Sequence, residues 1–360
     1  MRTRLLLLTL LPSMIACGAE PATLQLHSHI SSGPRPGEAG TLLELGDPRQ
    51  SIRAIALSSN YVYFAVDWAG VYRMPKYGGD IAALQEDRNA LFRHLATDAD
   101  RVYWDHITFP SDDDPANSLH TQVRSQSLAG GASTTIAEGN FGIYDGEGIE
   151  ASGGRLYWMS YPAGSTAASL ERVSATGGPR DTMIAFGDYN SAPDWVVDDA
   201  GIYFTTLPAG QGRVDDCAVE ELSAPGQGPA TLAPCPTPDS AAAGSDADVV
   251  YVQSGQAVWQ VSKRSRNTPV TAIQTLPDGS NFSGPAAFDE SNVYVKVYSD
   301  SSAWTWVTFP KAGGAMTALA DASLCPNIGG SWATAADGQY LYVVCGSFDR
   351  IVVVPKPPVP

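Results

Sequence analysis

Charge, histidine and long apolar runs are all in short supply in this 360-residue chain, and each shortage narrows what it can be. Charged residues make up only 17% of it, and their balance is acidic, net −16. A surface of that sign repels phosphate backbones, which excludes nucleic acid as a partner. The histidines are His27, His29, His94, His106 and His120, all in the first third, so no histidine site can draw on the whole chain. No two cysteines have the C-x₂₋₄-C spacing of a structural zinc site. No G-x-S-x-G elbow, P-loop or strand-to-helix G-x-G-x-x-G occurs. Beyond the first line, no apolar run approaches the roughly twenty residues of a membrane-spanning helix. A sustained helical stripe is missing as well.

What is present reads as strands and turns. Apolar residues are 44% of the chain, enough for a sizeable core, while Gly 35 and Pro 26 punctuate it densely. A short phrase recurs throughout: "YVYF", "RVYW", "RLYW", "GIYF", "VVYV", "NVYV" and "YLYV". Its central tyrosines are Tyr63, Tyr103, Tyr157, Tyr203, Tyr251, Tyr294 and Tyr342, spaced by 40, 54, 46, 48, 43 and 48 residues. An acidic or glycine turn precedes each copy and an alternating run follows it. In many copies a Gly-Gly turn and a last short strand come next. That makes four short strands per unit. Such a sheet cannot bury both faces alone, and stacking the units in a ring does so. The expected fold is all-β: a seven-bladed β-propeller with four antiparallel strands per blade. The tyrosine and its aromatic neighbour are expected to pack between blades, with carbohydrate stacking the lesser alternative.

The last unit stops near Lys356 before any fourth strand, and "RPGEAGTLLELGD" at 35–47 reads as a fourth strand lacking its first three. Thr41–Leu45 is therefore expected to complete the last blade and close the ring, which removes exposed edges. The implied layout is a leader at 1–16, a flexible tether at 17–36, the propeller at 37–356 and a Pro-rich tail at 357–360.

The leader reads "MRTRLLLLTLLPSMIAC": two arginines, an apolar run, then Ala16 before Cys17. This is a secretory signal, too short to span a membrane. Ala16-Cys17 resembles the lipobox of bacterial lipoproteins, which implies a lipid-modified Cys17. Gly18, not Asp, follows, and by enteric sorting rules that implies the outer membrane, on its periplasmic or surface face. Export exposes the remaining cysteines to an oxidising compartment. Cys217 and Cys235 lie equidistant from the "APGQGP" turn, opposite each other across a hairpin. Cys325 precedes the first strand of the last unit and Cys345 ends its second, at the same rim. The expected disulfides are Cys217–Cys235 and Cys325–Cys345.

The pattern "D-x-x-x-[VIL]-Y-[WF]…P-K-x-G-G" stands here as "NYVYF…RMPKYGGD", "DRVYWD…SLAGGA" and "NVYVK…FPKAGGA". It resembles repeat lipoproteins of myxobacteria, and the "LYW" core resembles the YWTD-like and TolB-like propeller repeats. The Thr-Asp of the YWTD repeat is absent from every copy. The resemblance spans roughly residues 40–356 and implies a fold rather than a ligand.

One cluster stands out. The second unit carries the insertion "DHITFPSDDDPANSLHTQ" between its second and third strands, and the next inter-blade connection is "EGNFGIYDGEGIE". In propellers these two loop types share a face. Asp105, His106, Asp112, Asp113, Asp114, His120, Asp145, Glu147 and Glu150 are thus candidates for one rim. Such a density of carboxylates suits Ca²⁺ or a cationic ligand, with a solvated acidic loop as the plain alternative. No cofactor is otherwise implied.

The function expected is non-catalytic: a monomeric, membrane-anchored scaffold whose rim loops engage a protein or glycan. The alternatives are a lyase or hydrolase with a site at the propeller top, which needs acidic or histidine groups converging on the channel, and an outer-membrane assembly factor.

Overall fold

Each tyrosine phrase forms the second strand of an antiparallel sheet. In blade 1 that strand is Tyr61–Asp67, set between the inner strand Ser51–Leu57 and the third strand Gly70–Pro75, with Ala82–Glu86 outermost. Seven such sheets stand in a ring, each joining its strands in the same order, so the chain is a seven-bladed β-propeller. The computed structural model describes residues 26–29, 38–109, 119–143, 148–162, 167–186, 194–206, 217–237, 239–299, 304–321, 324–325, 333–345 and 348–357. Among these there is no helix. The leader, Cys17 and residues 358–360 lie outside them.

The ring closes as the sequence predicts. Blade 7 takes Thr334–Ala336, Tyr340–Val344 and Arg350–Pro355 from the end of the chain and Gly40–Leu45 from its beginning. Glu44 lies opposite Arg350 in that pairing, and their side chains form an ion pair at 2.9 Å. Within the stretch read as a tether, Leu26–His29 pairs antiparallel with Gly40–Leu45 and adds a fifth, outermost strand.

The core is divided into seven seams, one between each pair of neighbouring blades. Alternation along the second strand explains this. Tyr103 packs on blade 3, while the next residue, Trp104, points the other way and packs on blade 1. All seven repeat tyrosines are buried. A strand buried on both faces cannot show a polar side, so the phrase reads as an unbroken apolar run.

The rim bearing the inner turns shows what the Asp and Lys of the repeat pattern do. Asp98, Asp198, Asp246, Asp289 and Asp337 each accept backbone N–H bonds from the residues two and three positions ahead. The second carboxylate oxygen takes the hydroxyl of the tyrosine five residues on, at 2.6 Å for both Asp246–Tyr251 and Asp289–Tyr294. A lysine from the following blade then arrives: Lys263 on Asp198, Lys311 on Asp246, Lys356 on Asp289 and Lys76 on Asp337. Lys263, Lys311 and Lys356 also lie over the rings of Tyr203, Tyr251 and Tyr294. Where blade 2 has Leu128 in place of the lysine, blade 1 has Ser58 in place of the aspartate. Where blade 4 has Ala224, blade 3 has Ser152. Both charges are kept or both are dropped at those seams, because a buried lone charge is costly. The seam between blades 2 and 3 keeps Asp98 against Ala175.

The Gly-Gly turn has an equally local reason. Gly78 and Gly79, Gly130 and Gly131, Gly177 and Gly178, and Gly313 and Gly314 all have positive φ. Two successive residues in that region require glycine.

Both expected disulfides form, Cys217–Cys235 with Cα atoms 5.2 Å apart and Cys325–Cys345 with 5.3 Å. The first sits where the hairpin pairing predicts, just beyond the Ala218–Pro234 pair, and Cys235 N–H donates to Cys217 O. Replacing Cys217 and Cys235 together by serine is expected to destabilise the protein by about 3 kcal/mol. Calorimetry of the variant, and of wild type under reductant, should show the same direction of change.

Candidate functional site

The face opposite the Asp–Tyr–Lys rim carries the loops between second and third strands and the connections between blades. Its described polar groups concentrate where blades 1, 2 and 3 meet. The second strand of blade 2 runs from Arg101 to Thr108, so Asp105 and His106 lie on the strand rather than at the start of the insertion. Successive residues of a strand face opposite sides. The two side chains therefore do not form a dyad with each other.

Asp105 is fully buried. Its Oδ1 accepts the backbone N–H groups of Arg93 and His94, and its Oδ2 lies 2.7 Å from His94 Nδ1. The carboxylate thus holds the connection that enters blade 2. That connection splits the inner strand into Ala90–Leu91 and Leu95–Thr97, both paired with the same second strand. Against His94 stands Gly148, at φ +73°, where a Cβ would come within 2.8 Å of His94 Cδ2. His106 turns toward blade 1, with Nε2 3.0 Å from Asp87 Oδ2 and its ring 5.3 Å from that of Phe92. His120 shares that face of the sheet, because His106 pairs with Gln122 and Thr108 with His120. Its Nδ1 lies 3.4 Å from Asn140 Oδ1.

Asp112, Asp113, Asp114, Asp145 and Glu147 lie outside the described residues. Among the described residues, no three His, Cys, Asp or Glu side chains come together as metal ligands.

Two groups that the sequence did not single out complete this face. Asp67, at the end of the second strand of blade 1, is buried and accepts a bond from Arg53 Nε at 2.7 Å. It also accepts the Phe92 N–H, and Arg93 Nε stands 4.0 Å away. Burial raises its pKa and outweighs the pull of Arg53 and Arg93. Arg53 in turn stacks on Phe348, 4.9 Å from the ring centre. Trp68 follows Asp67 at φ +60° and is 43% exposed. A bulky residue held in the left-handed region is a strained position. Tyr298, near the end of the second strand of blade 6, is exposed on the same face.

The channel wall is built from the seven inner strands, each adjoining the next around the ring. Three of them are mostly small residues, "LAT", "AAAGS" and "TAA". The charged residues of the seven are Arg53 and Glu150. Seven residues before each repeat tyrosine stand Ala56, Ala96, Glu150, Val196, Gly244, Ala287 and Ala335, so Glu150 replaces a small residue. Its Oε2 accepts the Val197 N–H at 3.1 Å from blade 4. Burial pushes its pKa up to about 8, against that one hydrogen bond. At neutral pH it is largely a protonated acid.

No protein-family model matches this chain, and no curated protein matches it. Solved structures do. The propeller domain of the Trilobed protease from Pyrococcus furiosus, described as having an open velcro topology, superposes with a TM-score of 0.59 at 9% identity. That match covers 85% of this chain and 93% of that one. Oligogalacturonate lyase from Vibrio parahaemolyticus gives 0.59 at 10% identity, over 94% and 99%. An acylaminoacyl peptidase gives 0.56 at 11% identity over 82% of this chain, which spans about half of that enzyme (52%). Likeness at this identity shows the architecture alone: the chain is a β-propeller, built on the same plan as propellers found in peptidases and in a lyase.

Proposed function

We infer that this chain is an exported binding scaffold, tethered by a lipid on Cys17 to the outer membrane, whose loop face takes a glycan or protein without turning it over. The two disulfides fit an oxidising compartment outside the cytoplasm. The leader and the Ala16-Cys17 junction support the anchor, in keeping with the resemblance to myxobacterial repeat lipoproteins. One observation carries the non-catalytic reading. The polar side chains of the loop face hold one another, as Asp105 with His94, His106 with Asp87 and Asp67 with Arg53, while Trp68 and Tyr298 are left to solvent. Exposed Trp and Tyr offer a wide, stiff contact surface with a polar edge, the chemistry of recognition. A Ca²⁺ ion or other cation at the acidic insertion of blade 2 belongs to the same reading, as a ligand of the rim.

Glu150 favours a second reading. A carboxylic acid kept protonated in a channel wall is suited to general-acid catalysis, and a lyase is among the similar structures.

Retention on immobilised envelope glycan, with the glycan chain length read by mass spectrometry, separates the two. The scaffold reading expects saturable binding, an intact glycan, and affinity lowered about tenfold by Trp68→Ala. Cleavage that disappears in Glu150→Gln would make the protein an enzyme instead.

A further inference from the structure

Blade 6 departs from the other six at one buried position. Two residues beyond each repeat tyrosine, the second strand faces a third-strand partner directly across the sheet. The pairs are Ala65–Val71, Asp105–Val123, Met159–Leu170, Thr205–Val219, Gln253–Val258 and Val344–Ile351. The third-strand member is aliphatic in all six. In blade 6 the pair is Lys296–Trp306.

Lys296 is 6% exposed. Four of the lysines at the opposite rim meet an aspartate, but among the described residues Lys296 meets no carboxylate and no hydrogen-bond acceptor. Burial alone lowers its pKa, with no neighbouring charge acting on it. Trp306 lies beside it, and Trp304 is two residues along the same strand and hence on the same face. The indole Nε1 atoms of Trp304 and Trp306 are both buried without a partner. What faces them from blade 7 is mostly apolar, Leu341, Val343, Val352, Val354 and the Cys325–Cys345 disulfide, with Thr334 opposite Val343 on the same face and its Oγ1 also buried without a partner. Two buried indole donors thus have no acceptor, and a largely buried lysine without a described partner stands beside them on the same sheet face. Buried donors are almost always satisfied, so two adjacent indoles that are not, next to an unpaired ammonium, ask for an acceptor from outside. Tyr298, next but one to Lys296 on the same strand face and 42% exposed, marks the side on which the seam opens to solvent.

We propose that the seam between blades 6 and 7 is a binding site for a small oxyanion, held by the Lys296 ammonium and the indole N–H groups of Trp304 and Trp306. The ammonium supplies charge and the two indoles supply direction. The mostly apolar wall of blade 7 lowers the local dielectric and strengthens both. A carboxylate or a phosphate-type group meets this chemistry equally. This site is separate from the loop face of blades 1 to 3, and its existence does not depend on what that face binds.

The test uses the folded mature protein, titrated with sodium acetate and, separately, sodium phosphate at constant ionic strength, followed by tryptophan fluorescence and by melting temperature. Wild type is expected to show saturable binding of at least one anion, with a melting temperature that rises as it binds. Lys296→Met, which keeps the length of the side chain without its charge, should weaken that binding at least tenfold. Without anion the variant should melt no lower than wild type, since it removes an unpaired buried charge. Trp306→Phe should weaken binding while leaving Lys296 in place, and serves if Lys296→Met does not fold. Preference for acetate would identify a carboxylate ligand, and preference for phosphate a phosphorylated one. The proposal is overturned if neither anion gives a saturable response, or if Lys296→Met binds as wild type does.

Discussion

Asp289→Ala is expected to destabilise the protein by about 3 kcal/mol, lowering its melting temperature by roughly 5 °C. The carboxylate stands at the centre of four donors: the Ser291 and Asn292 N–H groups, the Tyr294 hydroxyl and the Lys356 ammonium. Removing it unpins the inner turn of blade 6 and strands Lys356, whose side chain is only 4% exposed. That lysine belongs to blade 7, so the damage crosses the seam beside the closure of the ring. Asp98→Ala is the comparison. Asp98 caps its turn and takes Tyr103 in the same way, at 2.5 Å, but Ala175 rather than a lysine stands across the seam. Its loss should be about half as large. Equal losses would show that the lysine adds nothing to the clamp.

Acid titration provides an independent reading of the same group. Burial opposes ionisation of Asp289, yet Lys356, Tyr294 and the two backbone N–H groups outweigh it and hold its pKa at about 2. In the unfolded chain the value is near 3.9. The folded state therefore binds this proton less readily, and the stability it contributes is complete above about pH 4 and lost as pH falls through about 2. The gap between wild type and Asp289→Ala should shrink over that same window.

Glu150→Gln should act in the opposite direction. Its folded pKa of about 8 lies above the ordinary 4.5. Above pH 4.5 the unfolded chain releases this proton while the folded chain keeps it. Wild-type stability therefore declines between about pH 4.5 and 8 and is level beyond. Glutamine imitates the neutral acid and can still accept the Val197 N–H bond. The variant is expected to match wild type near pH 4 and to exceed it by roughly 3 kcal/mol at pH 9, the value of the shift after allowance for partial exposure. Melting curves at the two pH values measure this. A difference that does not change with pH would mean that Glu150 is ionised in the folded protein.

The architecture was legible because a propeller repeats itself. Tyr63 through Tyr342 recur at a blade's length, and the period-2 phrase around each specifies a strand that neighbouring blades must cover. Ring closure by Thr41–Leu45 was legible for the same reason, since a unit short of one strand has one obvious donor. The position of Cys217 and Cys235, equidistant from one hairpin turn, specifies that bridge in the sequence itself. The candidate site was less accessible. Asp105 and His106 stand next to each other in the chain, but strand alternation sends them to different seams, where His94 and Asp87 from a distant connection take them. Glu150 was visible only as one acid among several in a loop-rich stretch. Its replacement of a small residue in six other blades becomes meaningful once the inner strands are aligned in space.

By itself the amino-acid sequence determined the repeat, the strand count, the closure and the pairing of the cysteines, because those depend on alternation and spacing within a unit. The partners across the seams were decided by the tertiary structure. Asp289 and Lys356 belong to different repeats, 67 residues apart, and nothing local in either says that they meet. Lys296 likewise looks like one more solvated lysine on a strand. Only the stacking of blade 7 over Trp304 and Trp306 takes it out of water, and only burial turns an ordinary charge into one that requires a partner.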